Sequence, residues 1–400
     1  MNLEKYNQKH LLNFYNELTE EEKNKLNNDI KKIDFNFMNN LYEKSFFNDE
    51  MDINKVTNLK CIHDLKKIDI EKYNEVGEEL IKNNKYAVVI MAGGSASRLG
   101  LNKTKGCLEL NINNKKTSLF EIYINQLKEV YTKYDIYISL YIMTNKEYYN
   151  EIISFFKENN YFDYPHEKIN IFLQNELPIL DVDGKILLKN KYSILFGPNG
   201  NGDVFESMKK NNIIKKLKDD GIEYVLFSTV DNILVKLVDF SFIGSCIYNN
   251  YKIATKTILK RDPNDKNWVF CKYNNHPSML KSRYITEEIS NIKRNNDYIY
   301  RDTNITYHMI HINEIEKYSN INLKYHRAYK KNNYLDLNGH YVKANEANSF
   351  KFEKFIFDAF EYSSDMLLYR VNESEFCPIK NYDDIIKVEN LLNSKINIIN

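Results

Sequence analysis

The sequence predicts an α/β protein, in which a mostly parallel sheet is flanked by helices and preceded by a helical attachment. From residue 83 to about 260, short apolar runs alternate with amphipathic stretches, the pattern of βαβ units. Residues 1–82 instead place their apolar side chains at helical spacing. The apolar runs end on Gly93-Gly94, Thr144, Gln174 and Asp231. In an open α/β sheet ligands sit beyond the carboxyl ends of the strands, so these ends are expected to share one crevice.

Four hundred residues suffice for one large α/β domain with attachments, or for two domains. A net charge of +1 with 28% charged residues gives no reason to expect nucleic acid or an anionic membrane as partner. The cysteines, at 61, 107, 246, 271 and 377, are scattered and contain no C-x-x-C, so neither a disulfide framework nor a zinc site is expected. The first residues lack the apolar core of a signal peptide, and no apolar run approaches the length of a membrane span. A soluble, cytoplasmic protein is expected, and a monomer rather than an oligomer.

In the N-terminal segment Leu11, Phe14 and Leu18 fall on one helical face. Thr19-Glu20-Glu21-Glu22 has the form of a capping box, starting a second helix that carries Leu26 and Ile30 inward. His10 and His63 have no partner at metal-ligand spacing and are assigned to packing.

The chain is organised around the next stretch. Tyr86 to Met91 reads as a buried strand, and Gly93-Gly94 ends it with residues that can lie against a ligand. Arg98, Lys103 and Lys105 follow closely. A strand opening into a glycine-rich turn with fixed cations beyond it is a way to hold a triphosphate. The spacing fits neither G-x-x-x-x-G-K-[ST] nor G-x-G-x-x-G. Two glycines alone would be an ordinary turn, but the placement of Arg98 and Lys105 after them is a longer constraint.

Gly93-Gly94-x-x-x-Arg98-Leu99-Gly100 followed by Lys105-Gly106 resembles the nucleotide loop of the nucleotidyltransferases that make UDP-sugars, and more narrowly eukaryotic UDP-N-acetylglucosamine pyrophosphorylases. That resemblance implies a Rossmann-like, nucleotide-diphospho-sugar transferase fold. It implies a helical segment over 1–82 and a catalytic domain over 83–390, with a nucleotide half at about 83–260 and a sugar half at about 261–390. Residues 391–400 would be a short tail where family members continue into a further domain.

An amphipathic helix is expected from Ser118 through Leu127 and Val130. Further strands are expected at 136–143, 169–173 and 224–229. Gln174 could simply be satisfied by a loop backbone; the resemblance makes it the amide that reads the uracil edge, for which an amide suits by donating and accepting at once. Gly197-Pro198-Asn199-Gly200-Asn201-Gly202 reads as a tight turn before a helix. It resembles the family segment lying along the uridine, so Gly200 and Asn201 carry over, with Asp203 where the family has glycine. Asp231 closes a strand. By itself such an Asp is more often a helix cap, though it can ligate Mg²⁺ together with substrate phosphates. The Asn-Ile-Leu-Val-Lys that follows matches the family sequence, which implies that Asp231 is the metal carboxylate, with Mn²⁺ as the alternative to Mg²⁺.

Residues 252–258, 268–273 and 300–310 read as strands of the sugar half. The resemblance makes Asn304 a sugar contact, while Trp268 replaces a family glycine beside the sugar. His308 and His311 would lie on opposite faces of a strand and are discarded as a metal pair. Residues 348–358 read as an amphipathic helix, within which Lys351 matches a phosphate-contacting lysine. Glu375-Phe376-Cys377-Pro378-Ile379-Lys380-Asn381 matches the family segment whose lysine, here Lys380, holds the substrate phosphate.

The implied activity joins UTP to N-acetylglucosamine 1-phosphate, giving UDP-N-acetylglucosamine and pyrophosphate. Arg98 and Lys105 would neutralise the triphosphate and the leaving pyrophosphate. The altered sugar-side residues keep a UDP-glucose or broad UDP-sugar pyrophosphorylase open. A catalytically weak UDP-sugar-binding regulatory protein is the reading from another class.

Overall fold

The computed structural model describes residues 3–46, 50–94, 100, 103–260, 267–294 and 297–397. Its contacts divide the chain into two units, each discontinuous in sequence. One comprises Asp52–Gln174, Val204–Asn322 and Phe357–Asn400; the other comprises Met1–Met51, Asn175–Asp203 and Leu323–Ile356.

The first unit is built on a large mixed sheet. Its main path uses β1 (Lys60–Ile62), β2 (Tyr86–Met91), β3 (Ser139–Thr144), β4 (Ile169–Leu173), β5 (Tyr224–Thr229), β6 (Ile253–Leu259), β7 (Asp302–His311) and β8 (Leu367–Arg370), in the order β1-β8-β6-β7-β5-β2-β3-β4. Only β7 runs antiparallel to its neighbours. A hairpin of Val269–Tyr273 and His276–Leu280 branches from β7. All residues of β2 and β3 are buried, as parallel strands covered on both faces require. Strands β4 and β5 span the residues expected from the sequence, and the expected 136–143 begins at Ser139.

Helices cover the faces. Leu119–Tyr134 starts where Ser118 Oγ accepts the Glu121 amide, and it buries Leu119, Phe120, Tyr123, Ile124, Leu127 and Val130. Together with β2, β3 and β5 these side chains form the main apolar core.

The second unit has its own core. Leu11, Phe14, Leu18, Leu26, Ile30 and Met38 pack there with Leu180, Ile186, Leu188, Ile194 and Phe352. Thr19 and Glu22 form the expected capping box at the start of Glu20–Lys31. Before it the described backbone makes only 3₁₀ turns, Glu4–Tyr6, Lys9–Leu12 and Tyr15–Glu17, although Leu11, Phe14 and Leu18 do point inward.

One expectation is corrected. Residues 348–358 do not form a helix: Ser349–Glu353 is a strand paired antiparallel with His326–Lys330, and Ile356–Tyr362 is a 3₁₀ turn. Ser-Phe-Lys-Phe-Glu alternates apolar and polar residues, and that period of two decided the outcome. The contacts place no boundary at residue 82, because 52–82 pack with the sheet while 1–51 pack with 175–203 and 323–356. Residues 391–397, expected as a tail, continue the helix Tyr382–Asn397, whose Glu389 and Asn393 accept the backbone amides of Asn111 and Asn113.

Candidate active site

The ends of β5, β2, β3 and β4 lie side by side because the strands are parallel and in register: Thr229 pairs with Met91, Met91 with Met143, and Thr144 with Leu173. The pairing continues past the strands. Val230 donates to Met91 O, Ala92 to Met143 O, and Gln174 to Thr144 O. Gly93-Gly94, Thr144, Gln174 and Asp231 therefore emerge along one edge of the sheet, as the sequence predicts.

Gly93 is required by a close approach. A Cβ there would stand 2.3 Å from Gln174 Nε2, so the Gln174 amide lies directly over this residue. Its carbonyl accepts from Asn145 Nδ2 at 3.0 Å, and Asn145 Oδ1 takes the Tyr148 amide, which fixes the turn to the end of β3. Gly94 O accepts the Lys105 amide.

Lys105 and Asp231, 126 residues apart, form an ion pair at 2.9 Å. Lys105 Nζ also donates to Ile379 O at 2.8 Å, while the Ile379 amide donates to Asp231 O at 3.0 Å. The side chains of Lys105 and Asp231 are 13% and 20% exposed, so the pair is largely withdrawn from water but still accessible. Lys380 follows Ile379 directly and is exposed, with its amide donating to Asp384 Oδ2. Lys105, Asp231 and the backbone of the Lys380 segment thus meet beyond β5. Arg98 lies outside the described residues.

Two residues that hold this arrangement escaped the sequence reading. Asn232 is 1% exposed, and its amide donates to Glu375 O and accepts from the Cys377 amide. Lys256, on β6, is fully buried between Asp239 and Glu375. Burial opposes its charge, but the two carboxylates outweigh that and hold its pKa above the usual lysine value. A lysine inside the apolar run Ile253–Leu259 was the available signal.

Asn304, on β7, uses Oδ1 to accept the Thr306 amide within its own strand. His308 is buried against Thr255 Oγ1, and His311 caps the following helix. No group of three or more His, Cys, Asp or Glu able to hold a metal occurs among the described residues. Asp231 offers a single carboxylate with one oxygen engaged by Lys105, a donor set that fits a hard cation completed by phosphate oxygens.

In the other unit, Gly200, Asn201 and Lys351 come together around Ser349–Glu353. Gly200 has φ +86°, and a Cβ there would meet Lys354 O at 2.5 Å and Glu353 Cβ at 3.0 Å. Asn201 Oδ1 accepts the Ile356 amide. Lys351 is ion-paired with Glu353 at 2.8 Å and lies beneath Gly197. Asp203 is fully buried and accepts from the Asn175 amide, a structural task.

Comparison with known proteins adds a family to this geometry. The family model for UTP–glucose-1-phosphate uridylyltransferase matches residues 33–397. A Dictyostelium discoideum protein named "Probable UDP-N-acetylglucosamine pyrophosphorylase" is 31% identical over 94% of this chain and 81% of its own length. The UDP-N-acetylglucosamine pyrophosphorylase of Saccharomyces cerevisiae is 32% identical over 72% of this chain and 62% of its own. The crystal structure of the uridine diphosphate N-acetylglucosamine pyrophosphorylase from Trypanosoma brucei, in complex with inhibitor, superposes with a TM-score of 0.78 at 24% identity. It covers 96% of this chain and 82% of that one, and shows the shared fold. This chain belongs to the UTP–glucose-1-phosphate uridylyltransferase family.

Proposed function

We propose that the protein transfers a uridylyl group from UTP to N-acetylglucosamine 1-phosphate, forming UDP-N-acetylglucosamine and pyrophosphate. The observation that carries this is the Lys105–Asp231 pair beyond the parallel strand ends, beside Gly93-Gly94 and under the segment bearing Lys380. The names of the relatives, several of them UDP-N-acetylglucosamine pyrophosphorylases, support the same substrates.

In this reading an oxygen of the sugar phosphate forms a bond to the α-phosphorus of UTP. The bond from that phosphorus to the bridging oxygen breaks, and its electron pair leaves with pyrophosphate. A phosphate monoester is already anionic at neutral pH, so no general base is needed. The protein supplies alignment and charge. Lys105 and Arg98 neutralise the triphosphate and the leaving group, and Lys380 holds the sugar phosphate. Gln174, above Gly93, is assigned to the uracil edge. Gly200, Asn201 and Lys351 are assigned to the nucleotide and Asn304 to the sugar, on the family resemblance. Asp231 would hold Mg²⁺, or Mn²⁺ in its place, together with phosphate oxygens, and the ion would supply charge neutralisation.

A broader UDP-sugar activity is the second reading, and Trp268 favours it. Its ring packs on Phe357 at 5.6 Å with Lys281 5.7 Å from its centroid, a fixed bulk where the family resemblance calls for glycine beside the sugar. Pyrophosphate release from UTP with a panel of sugar 1-phosphates separates the readings. The first is supported by the highest kcat/KM for the N-acetylated sugar, the second by glucose 1-phosphate overtaking it, and no release with any sugar overturns both. A cytoplasmic location goes with this activity; no helix among the described residues is long and apolar enough to cross a membrane.

A further inference from the structure

We infer that Glu375, clamped by buried Lys256, and Asn232 are positioning residues that hold the segment Glu375–Lys380 over the Lys105–Asp231 pair. The connection can be followed bond by bond. Lys256 Nζ, with no exposure to water, reaches Glu375 Oε2 at 2.7 Å and Asp239 Oδ2 at 2.6 Å. Asp239 is anchored independently, since its Oδ1 accepts the Phe242 amide at the start of the helix Phe240–Tyr248. The ammonium also lies over the Tyr307 ring, 4.9 Å from its centroid, so it is held on several sides. Lys256 is therefore a fixed point in the sheet, and Glu375 attaches the loop segment to it.

Asn232 makes the second attachment, donating to Glu375 O at 3.3 Å and accepting from the Cys377 amide at 3.2 Å. One residue before it in the chain, Asp231 carries the reacting-side carboxylate and takes the Ile379 amide on its carbonyl. The Ile379 carbonyl then receives Lys105 Nζ. Both attachments lie three to five residues from Lys380, within a segment whose regular structure is limited to the 3₁₀ turn Glu373–Glu375. A burial-only role would not need this alternation of side-chain and backbone bonds along consecutive residues. A charge deep in β6 is costly unless paired, and here its pairing places the lysine-bearing segment.

The catalytic consequence rests on the uridylyl-transfer reading; the positioning itself does not. In Glu375→Ala the Lys256–Asp239 pair remains, so the variant is expected to fold. Amide hydrogen exchange of the full-length protein should quicken at Cys377 and Ile379 relative to wild type. With UTP and N-acetylglucosamine 1-phosphate, kcat should fall by about 10²-fold, the usual effect of a small misplacement of a reacting group. In a Lys380→Ala background the same substitution should cost much less, because residues acting through one another are not additive. Glu375→Gln, which keeps an acceptor for Lys256, should recover part of the rate. Unchanged exchange at Cys377 and Ile379, or full additivity with Lys380→Ala, overturns the inference. A wild-type protein that releases no pyrophosphate overturns the reaction instead and leaves the exchange result to decide the positioning.

Discussion

Replacing Lys105 by alanine removes the cation that joins two distant parts of the candidate site. In the structure its ammonium bridges Asp231 Oδ2 and Ile379 O, at 2.9 and 2.8 Å. Breaking one end of a fully buried ion pair costs about 3–5 kcal/mol. Here the side chains keep 13% and 20% exposure, and water can reach the orphaned carboxylate. The stability loss should therefore be about 1–3 kcal/mol, the range for a lost hydrogen bond to a charged group. That lowers the thermal midpoint by roughly 2–4 °C per kcal/mol or less in a chain of this size. The effect on rate should be far larger. A donor aimed at charge that develops on the reacting phosphates is typically worth about 10²–10³ in kcat. The assay is continuous pyrophosphate release at saturating UTP and N-acetylglucosamine 1-phosphate, with thermal unfolding monitored by circular dichroism on the same samples. A folded Lys105→Ala protein that turns over near the wild-type rate would refute the assignment. So would a rate loss accompanied by unfolding at the assay temperature, since that would be loss of protein rather than of chemistry.

Gly93→Ala tests the approach of Gln174. The Cβ would stand 2.3 Å from Gln174 Nε2, and the amide, as the far end of a flexible side chain, would swing away. Stability should change little, while KM for UTP rises by about tenfold, matching one lost hydrogen bond of about 1 kcal/mol or slightly more; an unchanged KM would count against a uracil role for Gln174. His308 gives a pH signature unrelated to catalysis. Burial lowers its pKa to about 3, below the unfolded value of about 6.5, so between those values the unfolded chain binds the extra proton. Stability should therefore fall as pH drops through that window, with a slope approaching 1.4 kcal/mol per unit from this group. Denaturant titrations from pH 7 to pH 4 should show the slope weakened in His308→Phe, and an identical slope in both proteins would remove His308 as the cause.

The shared edge of the strand ends was legible because parallel strands write their ends into the sequence. Each buried run is apolar until it leaves the sheet, so Gly93, Gln174 and Asp231 stood out as the first residues that could face a ligand. The capping box at Thr19 was legible for a similar reason: its hydrogen bonds are local. Strand Ser349–Glu353 was misread because aromatic residues suggested one helical face, while pairing with His326–Lys330 selected the period of two. The two units could not be read at all, since each gathers three separated stretches by contacts that no local pattern records. Asn232 and Lys256 escaped for the same reason. They share a partner, Glu375, more than a hundred residues away in sequence, and only the meeting with it gives either a task.

The central claim is that Lys105 and Asp231, beyond the parallel strand ends, receive a triphosphate together with its metal. Calorimetric titration of UTP into the wild-type protein and Asp231→Ala, each with and without Mg²⁺, tests it most directly. The expected result is that Mg²⁺ tightens UTP binding to the wild type, and that this gain disappears in Asp231→Ala while metal-free binding persists through the unpaired Lys105. An equal Mg²⁺ effect in both proteins, or no UTP binding by the wild type, would contradict it.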